Sequence, residues 1–199
     1  MIRRSIAALA LLMALGCADA AAAAERCKLP RGADQLAASS YARVYSTVDV
    51  EGFPAPAYAC SRRTGRRFRL DNPDLGVRVL TPQVAGPHVA YELQNYEGEA
   101  VFYSLYRLNV LEARRHALGF WSEEDDEILW SFQLVKSGAL AWSEITGRGQ
   151  TGEVWLHGAA GRQRLDSGPP ELAMSFAVSD NRKRIYWTSG GEPRTAPLR

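Results

Sequence analysis

Three histidines, His88, His116 and His157, are the imidazoles of this chain, and imidazole is the side chain best suited to ligate a metal or move a proton near neutral pH. His88 opens one strand-like stretch, His157 closes another and His116 follows a third. These unlike positions predict isolated surface or strand-end histidines rather than a three-histidine metal centre. The motifs that carry other chemistry are missing from the text: G-x-S-x-G, H-E-x-x-H, C-x-x-C and a phosphate-cradling glycine loop. No catalytic residue, metal ligand or cofactor is therefore assigned.

The most charged run is Glu123-Glu124-Asp125-Asp126-Glu127. Consecutive carboxylates repel unless solvated or neutralised by a cation, and without intervening turn residues they do not make a calcium loop, so a solvated loop is expected. Asp71 to Gly76 has turn composition and reads as a loop for the same reason. Trp121 and Trp130 flank the acidic run and could frame a ligand. Aromatic faces stack on sugar rings, yet Trp142 and Trp187 recur at the position of Tyr91, as a packing residue would. Trp121, the least repeat-like, is the ligand-binding candidate. Arg62, Arg63, Arg66, Arg67 and Arg69 form a basic cluster, read as a solvated outer strand whose charges block edge pairing, with an anionic-ligand patch as the alternative.

The elements that must position these residues come from a repeat. Tyr91, Trp142 and Trp187 lie 51 and 45 residues apart, and Val84, Leu134 and Val178, one strand earlier, lie 50 and 44 apart. Such spacing, with period-two apolar alternation and turn residues between, describes repeated antiparallel meanders close to the about 40–45 residues of a propeller blade. The expected fold is all-β, a small or incomplete propeller-like array, with a twisted β-sandwich as the alternative. Strands are placed near residues 41–50, 58–71, 77–84, 88–94, 100–108, 110–115 and from 128 onward, the last unit running from Leu172 to Arg199. No segment sustains a helical period.

Ahead of this body, Arg3 and Arg4 precede the apolar run Ile6 to Leu15 and an alanine-rich stretch, the pattern of a secretory signal over residues 1–24. Ala14-Leu15-Gly16-Cys17 also resembles a lipobox, which would acylate Cys17 and supply the chain's membrane anchor. Residues 25–40 read as a tether and 41–199 as one domain. Either processing route leaves Cys27 and Cys60 as a pair, predicted to form a disulfide in an oxidising compartment. Without residues 1–24, 22 basic and 21 acidic side chains remain, too even a balance for a nucleic-acid partner.

The run Val178-Ser179-Asp180-Asn181-Arg182-Lys183-Arg184-Ile185-Tyr186-Trp187-Thr188-Ser189 resembles the strand-turn-strand core of TolB-type, WD-like propeller repeats. Leu140-Ala141-Trp142-Ser143-Glu144, followed by the segment from Glu153 to Leu165 with its Gly158 to Gly161 turn, is similar to them as well. The resemblance covers about Tyr41 to Leu198, with the first unit lacking its innermost strand and the last its outermost. It implies binding of protein or sugar, with hydrolase or lyase sites in some relatives. The functional expectation is an exported, secreted or periplasmic scaffold of the bacterial envelope, non-catalytic, with a protein or carbohydrate partner. Its alternatives are a propeller-type enzyme acting on a glycan or small polar substrate, and a structural subunit of an envelope complex.

Overall fold

The computed structural model describes residues 27–47, 55–71 and 77–199. The segment read as a secretory signal (with Cys17), the end of the strand near Val48 and Val50, and the loop after Asp71 lie outside the described residues. Four antiparallel sheets follow one another along the chain, each made of consecutive strands. The first holds β1 (Asp34–Ala38), β2 (Ala42–Ser46), β3 (Ala57–Ser61) and β4 (Arg67–Arg69). The second holds β5 (Arg78–Ala85), β6 (His88–Glu97), β7 (Ala100–Asn109) and β8 (Arg114–Ser122). The third holds β9 (Ile128–Leu134), β10 (Leu140–Thr146), β11 (Thr151–Gly158) and β12 (Gly161–Gly168). The fourth holds β13 (Ala177–Val178), β14 (Arg184–Ser189) and β15 (Glu192–Pro197), preceded by the one-turn helix α1 (Glu171–Met174). The fold is all-β and propeller-like, an incomplete array of four blades.

Tyr91, Trp142 and Trp187 do occupy the second strand of their blades, and Val84, Leu134 and Val178 the first. The packing explains the recurrence. Tyr91 stands opposite Tyr106, and Trp142 opposite Trp155, as cross-strand stacked pairs with ring centroids 5.6 and 6.0 Å apart. The first pair packs into the core shared with Ala42 and Val44 of the blade before it. The second packs against Ala90, Leu105 and Trp121 of the second blade, and Trp187 packs against Ala141 and Val154 of the third. An arginine from the fourth strand covers each pair, Arg115 at 4.1 Å from the Tyr106 ring and Arg162 at 4.0 Å from the Trp155 ring. Each of these arginines also donates to a carbonyl of the preceding blade, Arg115 to Leu70 and Arg162 to Leu118. Stacking plus cation–π contact plus a cross-blade hydrogen bond thus joins the second blade to the first and the third to the second.

The first blade carries the same stacked pair, and among the described residues no blade lies in front of it. Tyr45 and Tyr58 stack at 5.6 Å on strands two and three. What packs against them is the segment of Cys27, Leu29 and Ala33, held by the Cys27–Cys60 disulfide, whose Cα atoms are 5.9 Å apart. Arg43 donates to the Cys27 carbonyl and closes this lid. At the far end, the outward face of the last blade presents Arg184, Tyr186, Thr188 and Thr195, all exposed.

Two strand expectations are corrected. The first blade has its innermost strand: β1 lies within the segment read as a tether and pairs with β2. The fourth strand of the second blade is Arg114–Ser122 rather than residues 110–115. Asn109 accepts the backbone N–H of Leu111 through its side chain, and Ala113 takes φ 58°, so this stretch turns before the strand begins. The last blade has three strands and lacks the outermost, as anticipated.

Candidate functional site

The second and third blades meet through an apolar middle with a different polar mouth at each end. Pairing places His88, Ala90, Glu92 and Gln94 of β6 opposite Asn109, Arg107, Leu105 and Tyr103 of β7. Residues directly opposite share a sheet face, and this is the face turned to the third blade, where Ala90, Leu105, Leu118 and Trp121 meet Phe132, Leu134, Leu140 and Trp142. Gln83 ties the inner strands, donating to the Phe132 carbonyl at 2.8 Å and accepting from the Leu134 N–H at 2.9 Å.

Buried indoles in this interface need acceptors. Glu144, 4% exposed, accepts from Trp121 Nε1 at 3.0 Å and Trp142 Nε1 at 2.8 Å. Glu153 accepts from Trp155 Nε1 at 2.9 Å and from Arg164 at 2.8 Å. Burial pushes the Glu144 carboxyl up, against the indole hydrogen bonds and the Arg162 charge that pull it down. These carboxylates serve the packing.

Trp121 is therefore corrected as a ligand candidate. It is 1% exposed, and its ring folds over Gly119, where a Cβ would lie 2.3 Å from it. A ring enclosed in this way offers no face to a ligand. The exposed tryptophan beside the acidic run is Trp130, at 47%.

The acidic mouth holds a cavity of about 440 Å³ lined by Leu80, Glu92, Tyr103, Glu123, Asp126 and Glu127, with Ile128 and Leu129. Beside it, a cavity of about 340 Å³ shares Glu92 and Leu129 and adds Thr81, Gln83 and Trp130. The acidic run supplies a short 3₁₀ turn (Glu123–Asp125), closed by Asp126 in the left-handed region. Tyr103 accepts from Gln94 and donates to Glu123, which fixes the phenol at the rim. Burial alone raises the Glu92 carboxyl to about 6. Thr81 sits at φ 42° in the irregular stretch of β5, a costly conformation for a β-branched residue and one that concentrates at functional positions.

At the opposite mouth the three histidines come together, contrary to expectation. Their cavity of about 400 Å³ is lined by His88, Arg107, Arg114, His116, Ser137, His157 and Arg199, with Glu112 its one acidic side chain. Parity explains it: in an antiparallel meander, the start of strand two, the start of strand four and the end of strand three lie at the same end. His88 begins β6, His116 lies early in β8 and His157 ends β11, so the text contained the signal. The His116 and His157 ring centroids are 6.2 Å apart. Among the described residues no group of three such ligands is placed to hold a metal ion. The arginine cluster near Gly65 is the outer hairpin of the first blade, with Arg69 paired to Asp71 at 3.0 Å and Arg66 over the Phe68 ring.

No protein-family model matches this chain, and no curated protein does. Among solved structures, the β-propeller domain of the Trilobed protease from Pyrococcus furiosus, described as having an open velcro topology, superposes with a TM-score of 0.52 at 10% identity, covering 81% of this chain and 55% of that one. The chain thus spans about half the length of that structure. Looser matches are a putative TolB from Agrobacterium tumefaciens, with TM-score 0.38 at 13% identity over 72% of this chain and 51% of that one, and TolB from Acinetobacter baumannii, with TM-score 0.41 at 15% identity over 82% and 40%. The first match establishes likeness of fold, and the fold alone.

Proposed function

We propose that this chain is an exported, non-catalytic interaction scaffold of the bacterial envelope, and that the acidic mouth between its second and third blades receives a basic segment of a partner protein. The observation that carries the reading is the combination at that mouth of Glu92, Glu123, Asp126 and Glu127 with the half-exposed Trp130 and Ile128. Carboxylates around a concavity select cationic side chains and speed encounter, while an exposed indole supplies desolvated area of the kind that dominates binding energy. A lysine or arginine entering beside Glu92 would favour its charged form. The Cys27–Cys60 bridge supports an oxidising location. In the test, mature protein and its Trp130→Ala variant are used to capture partners from the native envelope fraction. A partner retained by the wild type and lost by the variant supports the reading, and equal retention contradicts it.

A second reading, an enzyme acting on a glycan, draws on Glu92. A carboxyl raised to about 6 beside other carboxylates has the acidity of a general acid. Release of new reducing ends from envelope glycan, abolished by Glu92→Gln, would establish it.

A further inference from the structure

The geometry points to a second binding site, independent of the acidic mouth: we propose that the histidine mouth at the other end of the interface between the second and third blades takes an oxyanion, the carboxylate or phosphate group of a small ligand. Every element at this mouth contributes positive or neutral donors. His88 comes from β6, Arg107 from β7, Arg114 and His116 from β8, His157 from β11, Arg162 from β12 at its back, and Arg199 follows β15. Against them stand Glu112, whose carboxylate is 3.8 Å from Arg114, and the main-chain oxygen of Arg199, which lies against Gly158. A cavity of about 400 Å³ fits a small ligand.

The site is built rather than scattered. Arg107 reaches across the interface and donates to the Gly138 carbonyl at 2.7 Å, which orients its guanidinium while leaving further N–H donors. The His88 ring lies flat on Gly138, where a Cβ would come within 2.6 Å of it, and that glycine sits at φ +88°. Any side chain there would expel the imidazole. Nδ1 of His88 and Nδ1 of His157 are both buried without a hydrogen-bond partner, so neither ring is fixed through that nitrogen. An oxyanion entering among these groups would meet bidentate guanidinium donors and imidazole N–H groups together.

The histidines also make the site responsive to pH. Burial first, then the Arg107 charge, lowers the His88 pKa, with Glu112 opposing. Burial, Arg107, His116 and Arg162 lower that of His157. In both rings these causes favour the neutral form. A bound anion offsets the arginine charges and raises both pKa values, so binding takes up protons and tightens as pH falls.

The test follows the histidine ring signals of the mature protein by NMR during titration with sodium glucuronate, which stays ionised throughout, and separately with inorganic phosphate. Saturable movement of these signals with a Kd of about 1 mM or tighter is expected, with glucuronate binding about three- to tenfold tighter at pH 6.0 than at pH 7.5. Saturation by glucuronate alone identifies a carboxylate ligand, and saturation by phosphate alone a phosphate ligand. Arg107→Gln should weaken binding about tenfold or more. Because that change also removes a cross-blade bond, Arg114→Gln, on an exposed side chain, is the companion variant and should weaken binding while leaving the melting temperature unchanged. The proposal is overturned if neither anion gives saturable shifts, or if His88→Gln and His157→Gln proteins of unaltered melting temperature bind as the wild type does.

Discussion

Replacing Cys27 and Cys60 by serine together should uncover the leading face of the first blade, and the effect can be sized. The bridge spans a sequence separation of 33, for which the chain-entropy model gives about 3 to 4 kcal/mol of stabilisation. In a domain of this size each kcal/mol moves the melting temperature by about 2–4 °C, so a fall of about 10 °C is expected. The segment freed by the change is the one that packs against buried Tyr45 and partly buried Tyr58, on the side where later blades meet a neighbour. A second consequence follows: the uncovered aromatic pair is an apolar blade face, so the variant should self-associate at concentrations where the wild type is monodisperse. Thermal unfolding by circular dichroism, with sedimentation velocity on the same samples, measures both. A melting temperature within about 2 °C of wild type, with unchanged sedimentation, would refute the view that the stapled segment covers this face as a neighbouring blade does elsewhere.

Trp142→Phe keeps the ring stack but removes one of the two indole donors to buried Glu144, so a loss of about 1–3 kcal/mol is expected from denaturant titration. Glu92 has a folded-state pKa raised to about 6, above its unfolded value. Its contribution to stability is therefore greatest below about pH 4.5, falls as pH rises through 6, and is unfavourable above. Glu92→Gln should raise stability at pH 7.5 by about 1 kcal/mol, after discounting for solvent screening, and leave it unchanged at pH 4. Mass spectrometry of protein from its native host should find a new N-terminus near Ala21 or Glu25, or a diacylglycerol on Cys17, and an intact Met1 would contradict both.

The blade spacing was legible because the aromatic positions are under a strong constraint: each must fill the gap to the preceding blade, so Tyr91, Trp142 and Trp187 keep their place. Tyr45 and Tyr58 belong to the same series but escaped notice, since the half-sequence around them reads only as alternation. β1 was hidden for a related reason. Asp34–Ala38 is short, mostly exposed and without period-two patterning, because Ala37 is its one side chain that packs against the core. The histidine mouth was missed by treating unlike strand positions as dispersed when strand parity gathers them at one end. Trp121 was misplaced because its nearness in sequence to five carboxylates suggested exposure, whereas Gly119 two residues earlier makes room for the ring to fold inward. The acidic mouth could be sensed from composition, but Glu92 could not, since its membership depends on the meeting of two blades.

The most direct test of the account is site-specific photocrosslinking in the native envelope, with a photoreactive amino acid placed at Trp130 and, as a control, at Tyr186 on the outer face of the last blade, where exposure is 41%. The account predicts one dominant adduct from position 130, to a protein crosslinked through a lysine- or arginine-bearing segment, suppressed when Asp126 and Glu127 are replaced by Asn and Gln, and no such adduct from position 186. Equal labelling from both positions, or an adduct at 186 with none at 130, would contradict it.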